Sequence, residues 1–265
     1  MIWLTWIDDC LIAGDEKGVK TAKEQIKGRF DCDDVGLLNE YVGCKIERDE
    51  NSIRFTQPVL LQSFEDEFKC KAGKVMIPAE AGGVLVKQGE KDKALSEGEQ
   101  THYRSGVGKL LHMMRWSRPE IYNAVRELSR YMTAGTTQVH VKAMERVMNY
   151  CLTTRERGLE LRPDVEWNGD PEFKLRILGR SDSDYAKDVE TRKSVSGTST
   201  FLCSAPIIQR STMQKIVALS VTEAELIAAT TTAQDMMYVK RLLESINLRV
   251  EMPMILEVDN KGQLI

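Results

Sequence analysis

Residues 220–246 read SVTEAELIAATTTAQDMMYVKRLLESI. This stretch predicts a long helix starting near Ser220–Thr222 and running to about Ile246, with Thr222-x-x-Glu225 fitting a capping box. Strand patterns surround it. Leu159–Leu161 and Phe173–Leu178 read as strands, and Ser196–Cys203 and Ile207–Arg210 as a hairpin around Ser204-Ala205-Pro206. Gln214–Leu219 reads as a further strand, and Met254–Val258 as a last one ending at Asp259. Strands, a long helix and then a strand indicate an α/β domain that begins near residue 155–175.

Upstream the pattern differs. Residues 1–14 carry two short apolar runs around Asp8–Asp9, a hairpin pattern with the acidic pair at the turn. Residues 17–30 predict a helix through Val19, Ala22, Ile26 and Phe30. Tyr41–Glu47 and Ser52–Thr56 read as paired strands, followed by a helix with Pro58 in its first turn. Residues 71–100 are interrupted by Gly73, Pro78, Gly82, Gly83, Gly89 and Gly98, which predicts a long connection. Helices are expected at about 101–114, at 118–132 with Ser117 as cap and Pro119 at its start, and at 137–152.

The chain has 265 residues, 42% hydrophobic and 29% charged, with 37 Lys+Arg against 40 Asp+Glu and a formal charge of −3. That excludes collagen, a coiled-coil rod and a wholly disordered chain. A mildly acidic balance is not the footprint of a free-standing nucleic-acid grip, although a local basic face remains compatible with it. No apolar run approaches the ~20 residues of a membrane span, and the start lacks the basic region of a secretory signal. Six scattered cysteines and three histidines form no zinc-site spacing. They suggest reduced thiols and an intracellular, cytoplasmic or nuclear location.

The chemistry candidates are acidic. Asp8 and Asp9 could hold a divalent cation, or be plain turn residues. Asp182 and Asp184 follow a strand and share one face if extended. Glu223 and Glu225 open the long helix, and Asp259 ends the last strand. Carboxylates converging from different elements are what a two-metal phosphoryl-transfer site needs, and an all-oxygen set favours Mg²⁺. Solvated surface acids, or glutamates that merely favour the helix dipole, would look the same. Arg176, Arg180, Arg192, Lys193 and Arg210 could line a nucleic-acid face or an ordinary surface. The histidines and Trp3, Trp6, Trp116 and Trp167 read as packing or contact residues.

Further runs narrow these alternatives. Trp6-Ile7-Asp8-Asp9-Cys10-Leu11-Ile12-Ala13-Gly14 resembles the YVDD box of reverse transcriptases in copia-type LTR retrotransposons, with Trp6 and Ile7 replacing Tyr and Val. Arg29-Phe30 and Gly36-Leu37-Leu38 to Gly43-Cys44-Lys45-Ile46-Glu47 are similar to the segment after that box. Tyr103-Arg104-Ser105-Gly106-Val107-Gly108-Lys109-Leu110-Leu111 with Ser117-Arg118-Pro119-Glu120-Ile121 resembles the family's YRSLVGSLLY…TRPDI stretch. Ser181-Asp182-Ser183-Asp184-Tyr185-Ala186, Arg192-Lys193-Ser194-Val195-Ser196-Gly197, Val217–Glu225 and Val258-Asp259-Asn260-Lys261 are similar to the family's ribonuclease H domain.

The resemblance covers nearly the whole chain, in order, and it implies an α+β / α/β architecture. Residues 1–70 would be the end of a reverse-transcriptase palm and the start of the thumb. Residues 71–155 would be thumb and connection helices with a loop at 71–100. Residues 156–265 would be a C-terminally truncated ribonuclease H-like mixed sheet with flanking helices. Asp8 and Asp9 would take the place of the polymerase metal ligands, and Asp182, Glu225 and Asp259 that of the ribonuclease H ligands. The implied cofactor is Mg²⁺ or Mn²⁺. The implied partners are an RNA–DNA hybrid and primer-template nucleic acid, with no membrane. The parent element would work in a virus-like particle. On the family pattern a third polymerase aspartate would precede Met1 and a fourth acidic ligand would follow Ile265. Both sites are therefore expected to be incomplete and the chain inactive or impaired. The alternative is a non-catalytic nucleic-acid-binding or inert remnant.

Overall fold

Ile2–Trp6 (β1) and Asp9–Ala13 (β2) pair antiparallel, Ile2 opposite Ala13 and Trp6 opposite Asp9, so the apolar runs form the expected hairpin. The computed structural model describes residues 1–6, 9–80, 85–86, 93–133, 135–166, 170 and 172–259. It divides into two units, Met1–Val42 and Gly43–Ile265. In the first, helix α1 (Glu16–Lys27) follows the hairpin, with the Asp15 side chain accepting the Gly18 N–H at 2.8 Å. It stops short of residue 30 because Gly28 caps it. A two-residue strand, β3 (Glu40–Tyr41), closes this unit.

The second unit opens with β4 (Cys44–Arg48) and β5 (Ile53–Thr56), antiparallel. The Asp49 carboxylate closes their turn by accepting the backbone N–H of Asn51 and Ser52. Then come α2 (Pro58–Asp66), α3 (Glu97–Trp116), a 3-10 turn at Pro119–Ile121, α4 (Tyr122–Ser129) and α5 (Gln138–Thr153). Helix α3 starts earlier than expected. Ser96 and Glu99 form a full capping box, which outweighs Gly98 in the first turn.

Ser117 is not the cap of a following helix. Its N–H closes α3 on the Met113 carbonyl, and its hydroxyl donates to Gln57 Oε1 at 2.8 Å. The helix expected at 118–132 is instead a 3-10 turn and a short helix. Arg118, 2% exposed, is held there by Glu120, the Cys151 and Thr154 carbonyls and Thr154 Oγ1. Phe64, Tyr103, Leu110, Ile121, Leu128 and Met144 centre the helical core. At Gly106 a Cβ would lie 2.4 Å from Met144 Sδ, so the glycine lets α3 approach α5. Strand β6 (Leu159–Leu161) returns to this layer and pairs with β5, Leu159 opposite Phe55.

A second core lies between one sheet and one helix. Its elements are β7 (Lys174–Leu175), β8 (Ile177–Asp184), β9 (Val195–Leu202), β10 (Ala205–Met213), α6 (Val221–Ser245), β11 (Arg249–Val250) and β12 (Ile255–Val258). The sheet order is β10-β9-β8-β12. The first three strands are antiparallel, and β12 runs parallel to β8 after the α6 crossover. Ile177, Met236, Val239, Leu243 and Val250 pack between them. At Gly179 a Cβ would meet Met236 Sδ at 2.4 Å, so α6 lies directly on β8.

Two expectations are corrected. The β9–β10 turn is Cys203–Ser204, both at positive φ (46° and 70°), with Leu202 opposite Ala205. Such a turn matches the twist of the flanking strands, so Ala205 and Pro206 belong to β10. Residues 214–219 are not a strand but the connection from the sheet edge to α6. The Gln214 side chain ties it down by donating to Ser196 Oγ and the Ala224 carbonyl, while Ile216, Val217 and Leu219 stay exposed without a strand partner.

Candidate functional site

The alternation of β8 sorts its residues onto two faces. Ile177, Gly179 and Ser181 are buried, whereas Arg180, Asp182 and Asp184 are exposed. Asp184 is engaged by Lys187 at 3.0 Å. Asp182 has no side-chain partner among the described residues. Val258 pairs with Ser181 across the parallel β8–β12 ladder. Asp259 directly follows Val258 and Asp182 directly follows Ser181, so these carboxylates leave neighbouring strands at one level. Strands so paired lie ~4.8 Å apart.

Glu225 reaches the same end of the sheet from α6. The expected Thr222–Glu225 capping box does not form, because the helix starts two residues earlier. Ser220 is the cap, accepting the Glu223 N–H at 3.1 Å, and Glu223 Oε2 accepts the Leu219 N–H at 2.6 Å. Glu223 is thereby committed to the helix start, and Glu225 lies one turn inside it. Glu225 is 5% exposed. Its Oε1 accepts the Ser183 N–H at 3.2 Å and the Ser183 hydroxyl at 2.9 Å. Its Oε2 is buried with no hydrogen-bond partner. A buried carboxylate oxygen in that state costs free energy that a cation would recover. Ser181 Oγ and Thr198 Oγ1, on directly paired residues, are also buried and unpaired.

The structure therefore brings Asp182, Glu225 and Asp259 to one end of one sheet. It does not close them into a ligand set: among the described residues no group of three or more His, Cys, Asp or Glu stands close enough to hold a metal. Of the polymerase pair, Asp8 lies outside the described residues. Asp9 is described only by its backbone, paired with Trp6.

The turn after β8 holds residues that the sequence pattern did not single out. Asp188, 4% exposed, accepts the N–H and hydroxyl of Thr191 at 2.7 and 2.5 Å and the guanidinium of Arg130 from the end of α4. Burial pushes its carboxyl up, but the Thr191 hydrogen bonds and Arg130 outweigh it and hold the group below the usual carboxylate range. Ser183 was equally missed. The hydroxyl–acid alternation Ser181-Asp182-Ser183-Asp184 was its signal, since a period of two sends the serines to the helix side.

Of the five basic residues that could line a nucleic-acid face or an ordinary surface, three are paired with acids. Arg176 pairs with Asp164, Arg180 with Glu257 at 2.7 Å, and Arg210 with Asp235 through two 2.9 Å bonds. Arg180 also stacks over Phe201, and exposed Arg192 remains in the turn. The histidines sit among the helices. His102 stacks on Phe68, His112 bonds Gln57 at 2.7 Å, and His140 closes the start of α5. All six cysteines are free, Cys10 and Cys32 exposed and the others buried. No helix among the described residues is long and apolar enough to cross a membrane.

The chain is 31% identical over 254 residues to the retrovirus-related Pol polyprotein from transposon TNT 1-94 of Nicotiana tabacum, a match covering 94% of this chain and 18% of that protein. It is 28% identical over 262 residues to the Pol polyprotein from transposon RE1 of Arabidopsis thaliana, covering 98% and 17%. It is 34% identical over 133 residues to secreted RxLR effector protein 161 of Plasmopara viticola, covering 50% of this chain and 87% of that one. The chain thus spans less than a fifth of the two polyproteins it matches. No model of a known protein family matches it, and no solved structure does.

Proposed function

We propose, for a chain that belongs with the retrovirus-related Pol polyproteins of transposons, that β8–β10, α6 and β12 form a ribonuclease H-type module directed at RNA–DNA hybrids. The polyprotein kinship carries more weight than the effector match because it accounts for 94% of the chain rather than 50%. Residues 1–70 and 71–155 are then the end of a reverse-transcriptase palm and its thumb or connection helices, with Asp8 and Asp9 at the positions of the polymerase box.

One observation carries the reading. Asp182 and Asp259 leave neighbouring strands at one level, with Asp182 on the exposed face, and Glu225 reaches the same end of the sheet from the helix face, where it keeps a buried oxygen with no donor. The donors are all oxygen, which suits Mg²⁺ or Mn²⁺ better than zinc or copper. When bound, such an ion would polarise the scissile phosphate and make water more acidic. The chain's own residues supply the rest. Ser183 fixes the Glu225 carboxylate, and Asp182 and Asp259 present theirs on the open side. A hybrid would be held through phosphate and 2′-hydroxyl contacts rather than by base reading.

The carboxylates are not gathered into one set in the chain itself, so cleavage is expected to be weak. The test is a cleavage and binding assay on a labelled RNA–DNA hybrid with Mg²⁺ or Mn²⁺. The reading expects hybrid binding and slow RNA cleavage, abolished by Asp182→Asn and Glu225→Gln. A folded chain that neither binds nor cuts the hybrid would support an inert remnant instead. Primer extension is expected to be absent, and extension lost on Asp9→Asn would overturn that part.

A further inference from the structure

The structure assigns a second site to this chain, for a small anion with an apolar body, in a cavity of about 640 Å³ in the second unit. It lies where α4 and α5 meet residues 187–189 and the segments at 78–80 and 85; Asp188 lines it, whereas Asp182, Glu225 and Asp259 do not. Its size is that of a small-molecule pocket, which typically measures ~300–1,000 Å³.

The lining sets the chemistry of the occupant. Leu85, Ala124, Leu128, Ala143 and Val147 give an apolar floor. Val139 and Val189 also line the cavity yet stay 62% and 52% exposed, so apolar surface continues out of it. Two tethers frame the space. The Tyr131 hydroxyl donates to the Leu85 carbonyl at 2.6 Å, and Arg146 holds Glu80 at 3.1 Å.

Charge supplies the second requirement. Four cations line the cavity, Arg130, Lys142, Arg146 and Lys187, against the carboxylates of Glu80, Glu127 and Asp188. Arg130 is committed to Glu127 and Asp188, and Arg146 to Glu80. Lys142 is exposed and forms no ion pair among the described residues. Lys187 pairs with half-exposed Asp184, a surface contact of the kind that contributes little. The one positive charge in excess of the lining carboxylates therefore sits on Lys142, with Lys187 only weakly engaged beside it, next to an apolar floor. An apolar body displaces water from that floor, and a single carboxylate, sulfonate or phosphate meets the lysines. A neutral apolar molecule would leave them unused, and a nucleic-acid backbone has no apolar part to place on the floor.

The probe is anilinonaphthalene sulfonate, titrated against the intact chain by fluorescence and calorimetry, with the uncharged phenylnaphthylamine as control. The expected result is saturable binding of one molecule per chain and much weaker binding of the neutral control. Lys142→Glu, on the surface and outside the core, should weaken sulfonate binding about tenfold, the effect of ~1.4 kcal/mol. Val189→Trp should weaken both probes by crowding the cavity, and Lys174→Glu on β7 should leave both unchanged. Circular dichroism confirms that each variant is folded. Absence of saturable binding, equal binding of the neutral probe, or indifference to both Lys142→Glu and Val189→Trp would overturn the assignment.

Discussion

Ser183 on β8 donates both its backbone N–H and its hydroxyl to Oε1 of Glu225 on α6, leaving Oε2 buried without a partner. This pairing fixes the glutamate, and on the proposed metal role the Mg²⁺ dependence of stability is a direct readout. Mg²⁺ at millimolar concentration should raise the melting temperature of the chain, because a ligand that binds only the folded state stabilises it. Glu225→Gln keeps an acceptor for Ser183, so its metal-free stability should change by no more than ~1 kcal/mol, while the Mg²⁺-dependent rise disappears. Equal Mg²⁺ responses in both proteins would refute the metal role of Glu225.

Gly179 should be among the least replaceable positions of β8. A side chain there would run into Met236 and Thr232 on α6. Gly179→Val should destabilise the chain by ~1–3 kcal/mol, the usual cost of overpacking. Urea denaturation measures the loss, and hydrogen exchange should show it concentrated in α6.

Arg118 should tolerate neither Ala nor Lys. Its guanidinium serves Glu120, two carbonyls and Thr154 Oγ1, and it stacks over Tyr150. Glu120 is partly exposed, so the loss comes mainly from the buried carbonyls and hydroxyl left without their donor, each worth ~1–3 kcal/mol. Lysine cannot reproduce the fork of donors. Chemical denaturation of Arg118→Ala and Arg118→Lys should show large losses in both, and a near-native Arg118→Lys would contradict this.

Acid should loosen the tie between α4 and the turn after β8. The Asp188 carboxyl is held below its ordinary value, so its contribution is present above the unfolded carboxylate pKa of about 3.8 and is lost as pH falls through the lower folded value. Asp188→Asn should flatten the acid limb of stability against pH below about 4 while leaving neutral-pH folding cooperative. Unchanged acid sensitivity in the variant would show that other carboxylates govern that limb.

Thiol labelling should separate the cysteines by burial. Cys10 and Cys32 are exposed, whereas burial pushes the Cys151 thiol up to about 12 and Cys44 and Cys70 to about 11. The thiolate is the reactive form. Mass spectrometry after brief alkylation should find two labels on the native chain and six after unfolding.

Much of this architecture was legible in the residues themselves. Apolar runs marked the 1–14 hairpin and the strands at β9 and β12, but the strand expected at 173–178 is two elements, and β8 runs on through Asp182 to Asp184 instead of ending before them. The long pattern over 220–246 marked α6 to within a residue or so of each end. The losses came where two local signals competed. Gly98 hid the start of α3 although Ser96 and Glu99 cap it, and Pro119 suggested a helix start where Ser117 in fact closes the preceding helix on the Met113 carbonyl. Ile216, Val217 and Leu219 looked like a strand, but a strand needs a neighbour to bond, and none of the described residues pairs with them.

Spacing alone also left open which carboxylates matter. Sequence by itself determined the order of elements and placed acids at strand ends and at a helix start, because backbone periodicity and capping are local. The family resemblance singled out Asp182, Glu225 and Asp259, and only the tertiary structure set the surroundings of each acid. It turned Glu223 into part of the helix start, gave Asp184 to Lys187, buried Glu225 against Ser183 and set Asp182 level with Asp259 across a parallel ladder. The physical reason is that burial, register and ion pairing depend on groups far apart in the chain. Residues 183 and 225 meet only because α6 crosses β8 on its way to β12.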